Sequence, residues 1–501
     1  MFSWLWALFF NHCYAVTIAA FAAAVYYLYR NRCNLPGPTG LPIVGYLPFL
    51  GPTPYQTFTE LGKTYGEVFQ LRFGHRTVII LNSVSAVTEA YGNNLSFAGR
   101  PDNVSLQTFA NSGPARFAFK PADETWRFLR RVAAKSLGLF ASSRNSKLEA
   151  VVNDSHGHFE AEIEQHLGKP YNPKEAVVVT VSNVIGSVLF GFDFDQNHPL
   201  IRKLVDLAPT VSNFLEVGGM VDNVPFARYI CRGRIKKFLS VIEPVSDLTV
   251  KYIEMHEYHG SEDAVRDVAD ALAKVAEEIS VAEMQSHGVD RKKIKFISSD
   301  LFGAGFATTM DSFRWFLNLL AVFTDVQSKL RTEIDNYLNG RQVALTDKGR
   351  NAYIDATMTE LFRFSSLIPL GLPHSIMWDT QFRGYDIPKG ARVFANLYGI
   401  HRDPVMFPDP DTLNPERFLK ADGTYDADLA TNVMPFGTGK RRCIGELLAR
   451  QELFLLLVNT VQKYEIVVAS GENVDVRQPS GSGFTRIPHE MKLIFTKRPG
   501  Y

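Results

Sequence analysis

Apolar positions along the chain fall into three regimes. Residues 1–29 carry no charged side chain, and the run 13–29 is almost wholly apolar before Arg30 and Arg32. With residues 2–10 included, the stretch exceeds the roughly 20 residues that cross a bilayer core, although Asn11 and His12 interrupt it. The basic residues follow the apolar run instead of preceding it, which argues against a cleaved secretory signal and puts the remaining chain on the cytoplasmic side. Next comes L-P-G-P-T-G-L-P-I-V-G over 35–45, where prolines fix φ and remove donors, so no helix continues through it. The reading is an amino-terminal anchor over 1–32, a stiff hinge over 33–55 and one large domain over 56–501.

Within that domain the periodicity is mostly that of helices. Residues 67–81 alternate and are rich in β-branched and aromatic side chains, which predicts a hairpin turning near Gly74. From about Tyr91 onward, three- and four-residue apolar spacing predicts helices over 126–139, 177–190, 264–279, 298–324, 326–338 and 351–365, with a last one over 443–464. A second strand-rich patch lies over 382–395. The charged stretch 254–295 reads as solvated helix faces and a loop. The fold class is therefore mainly α with small peripheral β-sheets.

Lys plus Arg is 53 and Asp plus Glu is 52, a net charge of +1 that lacks the basic excess of a nucleic-acid binder. Four cysteines (Cys13, Cys33, Cys231 and Cys443) are too scattered for a disulfide framework or a zinc site. Cys443 alone has a distinctive setting, P-F-G-T-G-K-R-R-C-I-G over 435–445. Glycines allow tight turns and close approach to a flat ligand. Three basic residues precede the thiol and an apolar helical run follows, which together predict a lowered thiol pKa at a helix amino terminus. A lone thiolate suits neither zinc nor an iron–sulfur cluster, and it suits an axial ligand of haem. The G-T-G-K string does not fit a phosphate-binding loop, since no glycine lies five residues before Gly439 and no Ser or Thr follows Lys440.

On these residues the chain resembles the cytochrome P450 family, whose cysteine signature F-x-x-G-x-R-x-C-x-G is matched by Phe436, Gly439, Arg441, Cys443 and Gly445. The resemblance implies haem b bound through the Cys443 thiolate. It implies that Glu360 and Arg363 of T-E-L-F-R-F interlock with Arg417 of N-P-E-R-F. It also implies that Trp126, Arg130, His374 and Arg441 contact the haem propionates. Arg100, in F-A-G-R-P, matches a recurring family string without an assigned chemistry. Related members carry A-G-x-[D/E]-T on the long helix, and here Ala304, Gly305 and Thr308 match while Ala307 replaces the acid. Thr308 and, one turn further on, Asp311 are the candidate catalytic residues for proton delivery; Asp311 facing an Arg or solvent is the competing reading.

Several stretches resemble animal microsomal members, most of all the branch that hydroxylates planar aromatic hydrocarbons, with the steroid 17-alpha-hydroxylase branch next. The resemblance implies an NADPH-dependent monooxygenase of the endoplasmic reticulum membrane. It would be served by a flavoprotein cytochrome reductase docking on a positive face near Arg127, Arg131 and Lys135, and would act on a small lipophilic substrate. Phe109, Phe117, Phe302, Phe306, Ile368 and Leu372 are the candidate pocket lining. The loss of the acid at 307 keeps a second activity open, an isomerase or dehydratase of the same fold acting on a peroxide without dioxygen or reductase.

Overall fold

The computed structural model describes residues 33–500 except 93, 113–116, 143–146, 193, 195–197, 224–226 and 257–264, together with residues 14, 16–19, 21 and 22. Most of the expected anchor thus lies outside the described residues. Those seven within it are helical, and Tyr14, Val16, Ile18 and Phe21 are exposed. Among the described residues, no helix is long and apolar enough to cross a membrane.

The expected hairpin forms from β1 (Val68–Phe73) and β2 (Arg76–Leu81), antiparallel in the register Val68↔Leu81 to Phe73↔Arg76. Gly74 has φ +60°, a turn conformation that favours glycine. The helices that frame the core are α1 (Glu124–Ser142), α2 (Lys174–Phe190), α3 (Pro199–Phe214), α4 (Arg232–Met255), α5 (Val268–Glu277), α6 (Ile297–Val322), α7 (Thr324–Leu338) and α8 (Ala352–Ser365). Strand β3 (Arg392–Ala395) pairs parallel with β2 and antiparallel with His374–Ser375, which fixes the position of His374. Helix α9 (Glu446–Lys463) follows the cysteine loop, and strand β4 (Tyr464–Val468) pairs antiparallel with β5 (Leu493–Lys497).

Three expectations need correction. Helix α9 begins at Glu446 with Gly445 as its N-cap, so Cys443 precedes the helix and does not open it. The stretch 254–295 is more than solvated faces, because Val268, Ala271, Leu272, Val275 and Ala276 of α5 are buried. Helix α4, which contains Pro244, and the β4–β5 pair were not anticipated. Helix α6 is buried along most of its 26 residues, a rod of about 39 Å at 1.5 Å per residue through the centre of the domain.

Candidate active site

The cysteine loop is built by backbone geometry. Cys443 N–H donates to the Phe436 carbonyl at 2.9 Å, closing the loop into a hairpin-like turn. Gly439 has φ +70°, and a Cβ there would lie 1.7 Å from the Tyr91 carbonyl oxygen. That glycine lets the loop seat against residues 91–92 and does not itself line the cavity, which narrows its expected role as a cofactor contact. The backbone N–H groups of Gly445 and Glu446 donate to the Cys443 sulfur. Burial nevertheless pushes the free thiol's pKa up, against the expected lowering. The cations only partly offset that burial: Arg130 and Arg442 bear on the sulfur, but Arg442 also pairs with Glu446 at 2.7 Å and Arg441 turns to the Ala98 carbonyl at 2.9 Å. The residue surface is open, but it opens onto an internal cavity and the thiol is crowded by protein.

That cavity has a volume of about 420 Å³ and brings together residues far apart in the chain. Its lining includes Cys443 and Phe436 of the loop together with Ala304, Gly305, Ala307, Thr308, Asp311 and Ser312 of α6. Phe109, Phe117, Phe302, Ile368 and Leu372 line it as expected, but Phe306 does not. Phe306 is fully buried and packs behind Phe302, stacked on it at 6.3 Å between centroids. Thr308 Oγ donates back to the Ala304 carbonyl at 2.7 Å, the usual bond of a helical threonine. Asp311 is buried, its Oδ1 accepting from Arg314 Nη1 at 3.1 Å, and burial raises its pKa to about 6.

The rim carries cations that hydrogen-bond to no carboxylate among the described residues, with Asp123 acting on Arg441 from further off. Arg441 lies 3.8 Å over the Trp126 ring and donates to the Lys120 carbonyl at 2.8 Å. Its Nη1 is buried with no hydrogen-bond partner among the described residues. Burial, then repulsion from Arg100 and Arg130, lowers its pKa to about 8. Arg100 donates to the Ala118 and Pro373 carbonyls, and Arg130 to the Arg442 carbonyl. His374 Nδ1 lies 2.7 Å from the Phe97 carbonyl oxygen, and the ring stacks on Tyr91 at 3.9 Å. Burial and Arg100 keep His374 neutral, its pKa well below the usual value. Three clustered guanidiniums, one with an orphaned donor, call for an anion. The two carboxylates of a haem held by Cys443 would fit that demand.

Behind the loop, Glu360 and Arg363 are both 0% exposed and form a bidentate pair at 2.6 and 2.9 Å. Arg417 Nε and Asn414 N donate to the same Glu360 oxygen, Oε1, at 3.2 and 2.8 Å. Sequence reasoning missed the link from this cluster to the loop. Arg363 donates to the His401 carbonyl at 2.6 Å, and His401 Nε2 accepts from Met434 N at 3.0 Å, two residues before Phe436. Burial lowers the His401 pKa to about 3, so the ring is neutral and its Nδ1 proton goes to Ser366 Oγ at 2.9 Å. Also missed was Glu452, a fully buried carboxyl on the cavity wall whose pKa burial raises to about 8. A glutamate directly before the apolar run Leu453–Leu457 of α9 was the available signal.

A helical body with one thiol facing such a cavity defines the class of thiolate-ligated haem proteins. The family model for cytochrome P450 matches residues 35–495, and the chain belongs to that family of haem-thiolate monooxygenases. Curated relatives include cytochrome P450 1A1 of Opsanus tau, 33% identical over 468 residues (89% of this chain and 88% of that protein). The protein of the same name from Oryzias latipes is 35% identical over 469 residues (89% and 88%), and that of Homo sapiens 33% over 453 residues (88% and 88%).

Proposed function

We propose that this protein is a microsomal monooxygenase that inserts one atom of dioxygen into a small lipophilic, preferably planar aromatic, substrate, with Cys443 as the axial ligand of haem b. The observation that carries the reading is one cavity joining the Cys443 thiol, the arginines Arg100, Arg130 and Arg441, and a pouch lined by phenylalanines. Bound haem supplies the iron that activates dioxygen, and thiolate ligation favours O–O cleavage.

The protein's own residues do the rest. The Gly445 and Glu446 N–H groups hold the sulfur and favour its thiolate form. Trp126, Arg130, His374 and Arg441 hold the propionates, with Arg100 as a further donor. Phe436 and Gly445 keep the sulfur side closed, and Gly439 lets the loop approach Tyr91. Phe109, Phe117, Phe302, Ile368 and Leu372 pack against the substrate and exclude water. Thr308 positions a water or hydroxyl near the reacting centre. Asp311 lies four residues beyond Ala307, on the same helix face, and supplies the proton that a carboxyl at 307 would have supplied. Glu360, Arg363 and Arg417 hold the loop in register.

Electrons come from NADPH through a flavoprotein reductase docking on the face of Arg127 and Lys440. That face is less positive than its sequence suggests, because Arg131 pairs with Glu283 at 2.8 Å and Lys135 with Glu278. Residues 1–32 anchor the protein in the endoplasmic reticulum membrane, 33–55 form the hinge and 56–501 the cytoplasmic catalytic domain. Ala307 gives the isomerase or dehydratase reading its one specific support.

The test is product analysis with reductase, NADPH and isotopically labelled dioxygen over planar aromatics and steroids. Label in the product is the expected result. Unlabelled rearrangement of a lipid hydroperoxide without reductase would replace the monooxygenase with the isomerase.

A further inference from the structure

The carboxyl-terminal segment 486–490 is sewn to α6 on the turn that follows Asp311. Trp315 Nε1 donates to the Arg486 carbonyl at 2.8 Å, Arg314 Nη2 to the Pro488 carbonyl at 3.4 Å and Asn318 Nδ2 to the His489 carbonyl at 2.9 Å. The segment ends in Glu490, whose side chain is 54% exposed and whose Oε1 lies 2.6 Å from Lys174 Nζ, itself 18% exposed at the start of α2. The charge of Lys174 acts on Asp311, and that of Arg314 acts on Glu490. Two ion pairs therefore run from the surface to the cavity wall, Glu490 with Lys174 at the outer end and Arg314 with Asp311 at the inner end. The inner end is buried and meets the cavity beside Thr308 and Ser312.

We infer that this line is the route by which solvent protons reach the cavity, entering at Glu490 and passing by Lys174 to Asp311. The inference rests on the proposed role of Asp311. Its O–H bond breaks as the proton passes to a cavity water, and Arg314 stabilises the carboxylate that remains. A solvent proton collected at Glu490 passes through water beside Lys174 to Asp311, and Lys174 keeps its own proton and orients that water. No electron moves, and each group ends as it began. Arg314 keeps its proton throughout and acts as a positioning residue. The groups facing Asp311 are Arg314 from its own helix and Lys174 from α2. With a pKa of about 6, both of its protonation states are populated near neutral pH. A purely structural ion pair would also tie the segment to α6, but it would give Lys174 and Glu490 no influence on how fast Asp311 exchanges its proton.

The experiment is infrared difference spectroscopy on the full-length protein, wild type minus Asp311→Asn, near pH 6. The subtraction isolates the protonated Asp311 band from that of Glu452. We expect Glu490→Gln and Lys174→Met to keep the band but slow its hydrogen–deuterium exchange by about tenfold, a modest share of what a positioned acid or base contributes. Unchanged exchange in both variants would overturn the route. Glu490→Gln alters an exposed side chain, so the test survives if Lys174→Met folds poorly. Product formed per NADPH separates the two layers. Unchanged coupling in Asp311→Asn removes the proposed role of Asp311. Poor coupling in Asp311→Asn with unchanged exchange in the other two removes only the route.

Discussion

Two groups of arginines flank the cysteine loop, and they are built on opposite principles. Behind the loop, Arg363 and Arg417 converge on one fully buried carboxylate, Glu360, and spend their remaining donors on the carbonyls of His401, Pro410 and Pro408. At the cavity rim, among the described residues, Arg100, Arg130 and Arg441 meet no carboxylate at hydrogen-bond distance, and Arg441 keeps a buried donor without a partner. Each group also holds a histidine in the neutral state, His401 beside Arg363 and Arg402, His374 beside Arg100 and Arg441. A charge cluster that is complete serves the fold. One that is incomplete in the protein alone is waiting for a ligand of the missing sign.

The largest effect should come from breaking the complete cluster. Glu360→Gln leaves two buried guanidiniums unneutralised and should cost about 3–5 kcal/mol of stability. Denaturant unfolding of the purified protein measures it, and a loss under about 1 kcal/mol would mean that Glu360 is not the keystone. At the rim the balance should reverse. Arg441→Met should weaken haem retention about 10- to 100-fold, the usual cost of removing a partner that orients a bound metal group. Unfolding of the haem-depleted protein should change little, because the substitution removes a repulsive charge.

The shared histidines predict a pH profile. Both are neutral in the native state, while the unfolded chain protonates them near pH 6.5, so acid draws the equilibrium toward unfolding. Stability should fall below about pH 6.5 by about 1.4 kcal/mol per pH unit for each histidine, with the share of His401 levelling off near pH 3. Glu452 sets the opposite limb. Its native carboxyl keeps a proton up to about pH 8 while the unfolded chain gives it up above about pH 4.5, so stability falls as pH rises between them. Glu452→Gln should flatten that limb, and an unaltered slope between about pH 4.5 and about pH 8 would contradict the neutral buried acid.

The smallest effect concerns arginines outside both groups. Arg127→Glu, on the exposed side of α1, should slow reduction by the reductase a few-fold at low salt and hardly at all at high salt.

These contrasts explain what could be read in advance. The cysteine loop was legible because its chemistry is local, with glycines, cations and a thiol inside eleven residues. Most predicted helices appear within a few residues of their expected ends, because the apolar period acts locally as well. Orientation was not legible. Phe306 was assigned to the cavity on residue type, yet it is buried behind Phe302 and does not reach the lining. Arg441 and Arg442 were credited to the thiol because they precede it, whereas the carbonyls of Ala98 and Lys120 take Arg441 elsewhere and Arg442 divides its charge between Glu446 and the sulfur. The His401–Met434 bond joins residues 33 apart and the Trp315–Arg486 bond residues 171 apart, separations at which no periodicity operates.

The central claim is that the rim arginines are completed by the carboxylates of haem. Its most direct test compares the affinity of the haem-depleted protein for haem and for haem dimethyl ester, in wild type and in Arg441→Met. The account predicts that wild type strongly prefers the free diacid and that Arg441→Met loses most of that preference. Equal affinity of wild type for the two forms would contradict it.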